Sequence, residues 1–157
     1  MKASFSIEPL SFDSPALQGL LRESEDYMSA LYPADSNHFE SVQLLLPPKG
    51  LLLGVFEAGV MIGCGAVKFA NDGADYGEIK RVFVLESQRG KGISKAIMQV
   101  LESHLIERGI VLARLETGIK QPAAIGLYRR LGYVERSPFG GYHADPLSLF
   151  MEKRLDA

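Results

Sequence analysis

The feature that most constrains the fold is a change of hydrophobic period between Gly50 and Thr117, from two residues to about 3.6 and back. Leu51–Glu57 and Val60–Phe69 are strand-like runs separated by Ala58-Gly59, a spacer of hairpin length, so these strands are expected to be antiparallel. Asn71-Asp72-Gly73-Ala74-Asp75 makes another turn, and Tyr76–Leu85 alternates as the next strand. Its alternation predicts Ile79, Arg81, Phe83 and Leu85 on one face and Glu78, Lys80, Val82 and Val84 on the other. After the polar loop Glu86-Ser87-Gln88-Arg89, a helical stripe of Ile93, Ile97, Val100, Leu101 and Leu105 runs to a stop at Gly109, and Ile110–Thr117 is again a strand. Strand, loop, long helix and strand form a crossover, which predicts that the fourth and fifth strands of the chain are parallel.

The flanks fit around this centre. Phe5-Ser6-Ile7 reads as a first strand, and Asp13-Ser14-Pro15 supplies capping side chains and a proline for a helix start. Leu17, Leu20, Leu21, Ser24, Met28 and Leu31 form its apolar stripe until Pro33. Ser36 can cap a second helix carrying Phe39, Val42, Leu45 and Leu46, which Pro47-Pro48 ends. Beyond the crossover, a short helix is expected from about Pro122 to Leu131, broken by Gly132, then strands at Tyr133–Arg136 and Leu147–Lys153. No repeat or linker divides the chain, so residues 1–157 are expected to form one domain.

Composition removes several classes of function. The longest apolar stretches, Leu44–Leu46 and Gly50–Phe56, are far shorter than the roughly 20 residues of a membrane span, so no membrane partner is expected. The first residues carry no signal-peptide pattern, and a cytoplasmic site is the default. A formal charge of −2, with basic residues only in pairs such as Arg129-Arg130 and Lys153-Arg154, lacks the footprint of a nucleic-acid binder. Cys64 is the only cysteine, which excludes an internal disulfide, and no base stands near it in sequence to make it a nucleophile. It is expected to be buried, with Ile62 and Ala66 on its own side of the strand and Gly63 and Gly65 on the other. His38, His104 and His143 have no short-range ligand partner, so no metal is expected.

The chemistry is concentrated in Gln88-Arg89-Gly90-Lys91-Gly92-Ile93-Ser94. Its glycines free the backbone to turn N–H groups inward, and the helix N-terminus that follows adds partial positive charge, reinforced by Arg89 and Lys91. The same glycines could serve only a tight turn. A P-loop is absent, because no Gly-x-x-x-x-Gly-Lys-Ser/Thr occurs. A dinucleotide fingerprint would need glycine where Lys95 stands, although Glu116 could pass for its ribose-binding acid.

Arg89-Gly90-Lys91-Gly92-Ile93-Ser94 resembles the Gln/Arg-x-x-Gly-x-Gly/Ala pyrophosphate loop of the GNAT (Gcn5-related N-acetyltransferase) family, preceded at the family's distance by Glu78-Ile79-Lys80-Arg81-Val82-Phe83-Val84. Gln121-Pro122-Ala123-Ala124-Ile125-Gly126-Leu127-Tyr128-Arg129-Arg130-Leu131-Gly132-Tyr133 is similar to the family's second signature, Asn-x-x-Ala-x-x-Leu-Tyr-x-x-x-Gly-Phe/Tyr. The likeness runs through about residues 50–154, with Ser94 in place of Gly/Ala and Gln121 in place of Asn. Leu31-Tyr32-Pro33 and the Asp145-Pro146-Leu147-Ser148 tail also loosely resemble a bacterial subgroup sometimes named indole-acetate acetyltransferases. No substrate follows from that name.

The resemblance implies an α/β fold with a mixed, mostly antiparallel sheet of about seven strands, a central parallel pair of strands 4 and 5, and about four helices on both faces. It implies acetyl-CoA as cosubstrate, with the pantetheine arm on the backbone of Val82, Phe83 and Val84 and the pyrophosphate on Arg89, Gly90, Lys91, Gly92, Ile93 and Ser94. Gln121 takes the place of the family's asparagine at the same site. Tyr128 matches the tyrosine that protonates the departing thiolate, and Glu78 stands where several members place a general base. Their plainer alternatives are packing of Tyr128 on an amphipathic helix and a surface pair of Glu78 with Lys80 or an arginine. The loop Phe139–Asp145, with His143, and the segment around Tyr32, Asn37 and His38 correspond to the family's variable acceptor walls.

The reading that results is an N-acetyltransferase for a small amine or amino-acid-like acceptor, working by direct transfer and possible as a homodimer. Other readings are a non-catalytic acyl-CoA sensor of the same fold, a protein-lysine acetyltransferase and a dinucleotide-dependent oxidoreductase.

Overall fold

The computed structural model describes residues 4–11, 15–33 and 42–156. One sheet holds seven strands: β1 (Ser6–Pro9), β2 (Gly50–Glu57), β3 (Val60–Asn71), β4 (Asp75–Val84), β5 (Leu112–Gly118), β6 (Val134–Arg136) and β7 (Ser148–Arg154). Their order is β1-β2-β3-β4-β5-β7-β6, and every neighbouring pair is antiparallel except β4 and β5, which run parallel across the expected crossover. Ala58 and Gly59 both take positive φ, 50° and 80°, the twist that a two-residue hairpin needs.

The helices are α1 (Pro15–Leu31), α2 (Ile93–Glu107) and α3 (Pro122–Arg130). Where a second helix starting at Ser36 is expected, residues 34–41 lie outside the described part, as does the Asp13-Ser14 cap of α1. The described remainder of that segment is a 3-10 turn, Val42–Leu45, which ends just before the two prolines. Among the described residues no helix is long and apolar enough to cross a membrane.

Two apolar layers flank the sheet. On one face α2 lays Ile93, Ile97, Met98, Leu101 and Leu105 against Leu53, Val55, Val67 and Ile79, and Tyr128 of α3 joins the same cluster. On the other, Leu17, Leu20 and Leu21 of α1 meet Leu45, Leu52, Cys64 and Ala66. The predicted stripe of α2 is corrected at one position: Met98 is buried and Val100 is 38% exposed. The i, i+4 row through 93, 97, 101 and 105 drifts around the helix and carries position 100 out of the contact. Glycines set the approach of α2, since a Cβ on Gly65 would meet the Ile97 side chain and one on Gly77 would meet Leu105.

The functional cleft comes from what β4 does next. Its pairing with β5 covers only Gly77↔Ala113, Glu78↔Arg114 and Ile79↔Leu115, after which the two strands part. At Arg81 the backbone enters the left-handed region, φ 58°, and the register against β3 slips between Cys64 and Ala66. Such a bulge bends and twists its strand. It also corrects the predicted faces of β4, because one extra residue inverts the alternation beyond it. Ile79, Val82 and Val84 pack with the α2 layer and Phe83 with the α1 layer. A second slip, at Val55/Phe56, sends Ile62 to the α2 layer, away from Cys64 and Ala66.

Candidate active site

Two cavities open where β4 and β5 part. The larger, about 460 Å³, is bounded by the end of β4, the loop after it, the start of α2 and the start of α3. That is within the usual range for small-molecule sites. Val82, Phe83, Val84, Arg89, Gly90, Gly92, Ile93 and Ser94 all line it, with Gln121 and Tyr128 opposite. Lys91 does not line it: the residue is exposed and its Nζ donates to Gln88 Oε1 at 2.6 Å. Arg89 borders the cavity with its guanidinium carbon 5.0 Å from the Tyr27 ring centroid, and its Nε donates to the Val84 carbonyl at 3.1 Å.

These residues fit a CoA pyrophosphate on local grounds. Gly90 and Gly92 have φ of 82° and 77°, and nothing stands within 4 Å of where a Cβ would be at either. Gly92 is the N-cap of the 15-residue α2, and among the described residues it has no side-chain cap hydrogen bond. Open backbone donors at a helix start are suited to an anion.

Tyr128 is held in place by the way its helix ends. At the C-terminus of α3, Gly132 takes φ 101°, its N–H bonds to Arg129 O, and the Tyr133 N–H bonds to Tyr128 O at 3.0 Å. These paired bonds are a Schellman ending, and the rings of Tyr128 and Tyr133 meet 6.0 Å apart beneath it. Tyr128 is 8% exposed, and burial, with the Glu116 charge adding to it, pushes its phenol up to about 12. The ring lines both cavities.

The smaller cavity, about 110 Å³, lies between α1, β4, β5 and the loop before β7. Glu78 stands in its wall, 4% exposed. Its Oε2 accepts from Lys80 Nζ at 3.1 Å and from the Tyr142 hydroxyl at 2.5 Å, and Lys80 Nζ also donates to Tyr142 Oη at 2.9 Å. The pairing with Lys80 that sequence allowed as a surface feature is therefore present but buried. Arg81, turned toward α1 by the bulge, pairs with Glu25 at 2.9 Å. Glu116 accepts from Ser148 Oγ at 2.7 Å on the β5 side. Tyr32 closes the cavity, 5% exposed, its hydroxyl accepting from the Lys120 N–H at 2.9 Å above Gly118.

Of the expected acceptor walls, Tyr32 lines this cavity, whereas Asn37 and His38 lie outside the described residues. In the loop before β7 the lining residues are Tyr142 and Leu147, and His143 is exposed and does not line it. Sequence reasoning quoted Tyr142 only as part of a segment and missed Lys80, Arg81 and Glu116 as cavity residues. Only the placement of Glu78 and Lys80 on one strand face could have hinted at the cluster. Cys64 is fully buried, and burial pushes its thiol up to about 12. No group of three or more His, Cys, Asp or Glu that could hold a metal occurs among the described residues.

Residues 16–133 match a family model described as the acetyltransferase (GNAT) family. An IAA acetyltransferase of Azospirillum brasilense is 41% identical over 140 residues, covering 89% of this chain and 91% of that protein. The fold superposes with a TM-score of 0.80 on a Klebsiella pneumoniae protein provisionally described as an acyl-CoA N-acyltransferase, 32% identical, over 96% of this chain and 97% of that one. It also matches the PaiA N-acetyltransferase of Thermoplasma acidophilum, whose structure holds coenzyme A, with a TM-score of 0.76 at 21% identity, over 97% and 99% of the two chains.

Proposed function

The chain belongs to the GNAT family of acetyltransferases and is an acyltransferase, and from that premise we propose that it moves an acetyl group from acetyl-CoA to the nitrogen of a small amine or amino-acid-like acceptor. In this reading residues 1–157 act as one domain, in the cytoplasm. The observation that carries it is that Tyr128 lines both cavities and that Glu78 lines the smaller one with it. The larger cavity suits the cofactor and the smaller one suits an acceptor of few atoms.

Acetyl-CoA supplies an activated thioester. Gly90, Gly92, Ile93 and Ser94 would hold its pyrophosphate with backbone N–H groups, and Val82, Phe83 and Val84 would align the pantetheine arm along the free edge of β4. A backbone N–H there would also polarise the thioester carbonyl, an effect worth about 2.7–4 kcal/mol for one donor in other enzymes. Glu78 takes a proton from the acceptor ammonium, whose pKa of about 10.4 leaves little free amine at neutral pH.

Tyr128 gives its hydroxyl proton to the departing sulfur. A phenol at about 12 is a weak acid for a thiolate of ordinary pKa near 8.5. Burial raises thiols too, because a low-dielectric site penalises the thiolate. Desolvation of the sulfur on cofactor binding would favour the neutral thiol and so the transfer from Tyr128.

Thiol release from acetyl-CoA against a panel of amines, amino acids and IAA tests the reading, with calorimetric CoA binding run in parallel. Turnover that depends on one acceptor and falls at least about tenfold in Tyr128→Phe, with CoA affinity unchanged, is expected. CoA binding without turnover on any acceptor would favour the sensor, and absence of CoA binding would overturn the reading.

A further inference from the structure

We propose that Tyr142, with Lys80, is a positioning residue that fixes Glu78 through one carboxylate oxygen and so presents the other to the acceptor; this rests on Glu78 being the base. Both hydrogen bonds to Glu78 fall on Oε2. Oε1 takes none from the described residues, so the carboxylate has one anchored oxygen and one left for a proton.

The two anchors arrive from different parts of the fold. Lys80 comes from the same strand, with its side chain 7% exposed. Tyr142 comes from the loop before β7, and its ring is set by neighbours rather than by chance. It packs 5.3 Å from Phe139 and 5.4 Å from Phe150, edge to face. The loop is tied at its base, where Gly140 N–H donates to Asp72 Oδ2 at 3.1 Å and Tyr142 N–H to Phe139 O at 3.1 Å. The hydroxyl therefore has a fixed origin, accepting from Lys80 and donating to Glu78. A carboxylate held by two donors in a buried wall cannot rotate freely, and a base gains from a defined direction toward the proton it removes. The loop thereby links the acceptor wall to the base.

Tyr142→Phe keeps the ring and removes only the hydroxyl. The test is a double-mutant cycle with Glu78→Gln, read as thiol release from acetyl-CoA with each amine of the panel and with water alone as acceptor. Melting temperature and CoA affinity are followed beside it. Expected are a fall in kcat of about tenfold for Tyr142→Phe, with KM for acetyl-CoA unchanged, and less than about a twofold further fall when the substitution is added to Glu78→Gln. Lys80→Gln should show the same dependence on Glu78 from the strand side. Equal losses in the two backgrounds, or an unchanged kcat in Tyr142→Phe while Glu78→Gln is impaired, would overturn the positioning role. Wild-type turnover in Glu78→Gln would instead remove the base itself, and this inference with it.

Discussion

Tyr128 and Cys64 show how one interior treats two acids of different intrinsic strength. Both are buried among apolar neighbours, and both are pushed up to about 12, because the low-dielectric surroundings penalise phenolate and thiolate alike. For Tyr128 this keeps the phenol protonated at neutral pH, as its proposed role as an acid requires. For Cys64 it removes nucleophilic character, and the Sγ–H donates to the Arg81 carbonyl at 3.2 Å, inside the bulge. The native thiol should therefore resist a disulfide reagent at pH 8 and react fully only once the protein is unfolded. Rapid single-site labelling of the folded protein, followed by absorbance, would contradict that. Cys64 could be read as a buried core residue from its apolar flanks alone. Its bond to the bulge could not, because it depends on where β4 slips.

At the scale of elements, the smaller cavity, proposed for the acceptor, is closed by the contact of Tyr32, just after α1, with β5. Gly118 leaves the space for that ring, and a Cβ there would overlap the tyrosine hydroxyl. Gly118→Ala should displace Tyr32, cost about 1–3 kcal/mol through overpacking and raise KM for the acceptor more than KM for acetyl-CoA. Thermal denaturation and two-substrate kinetics read the two effects separately. The ends of α2 and α3 were legible beforehand, since Gly109 and Gly132 follow apolar stripes. The helix expected from Ser36 falls mostly outside the described residues, and its described end, Val42–Leu45 before two prolines, shows too little of a period to separate a helix from a turn.

For the molecule as a whole, the far edge of the sheet depends on charge. Glu152 of β7 accepts from Arg114 of β5 at 2.6 Å and from Arg136 of β6 at 2.8 Å. Burial by itself would raise its carboxyl, but the hydrogen bonds and charges of the two arginines outweigh that and hold it below its ordinary value. A depressed carboxyl contributes stability above its unfolded pKa, about 4.3, and that contribution is lost as pH falls through the lower folded value. Melting temperature should therefore drop on acidification below about pH 4.3, and less steeply in Glu152→Gln, which cannot titrate. Equal slopes for the two proteins would deny Glu152 that role. The sequence by itself determined the hairpin, the crossover and the glycine loop, because each is written in neighbouring residues through period, turn chemistry and helix ends. Only the tertiary structure decided that the alternation of β4 inverts at Arg81, and that Tyr142 meets Lys80 and Glu78 across separations of 62 and 64 residues. The first depends on register against β3 and the second on an aromatic cluster seating a distant loop, and neither leaves a signal in adjacent residues.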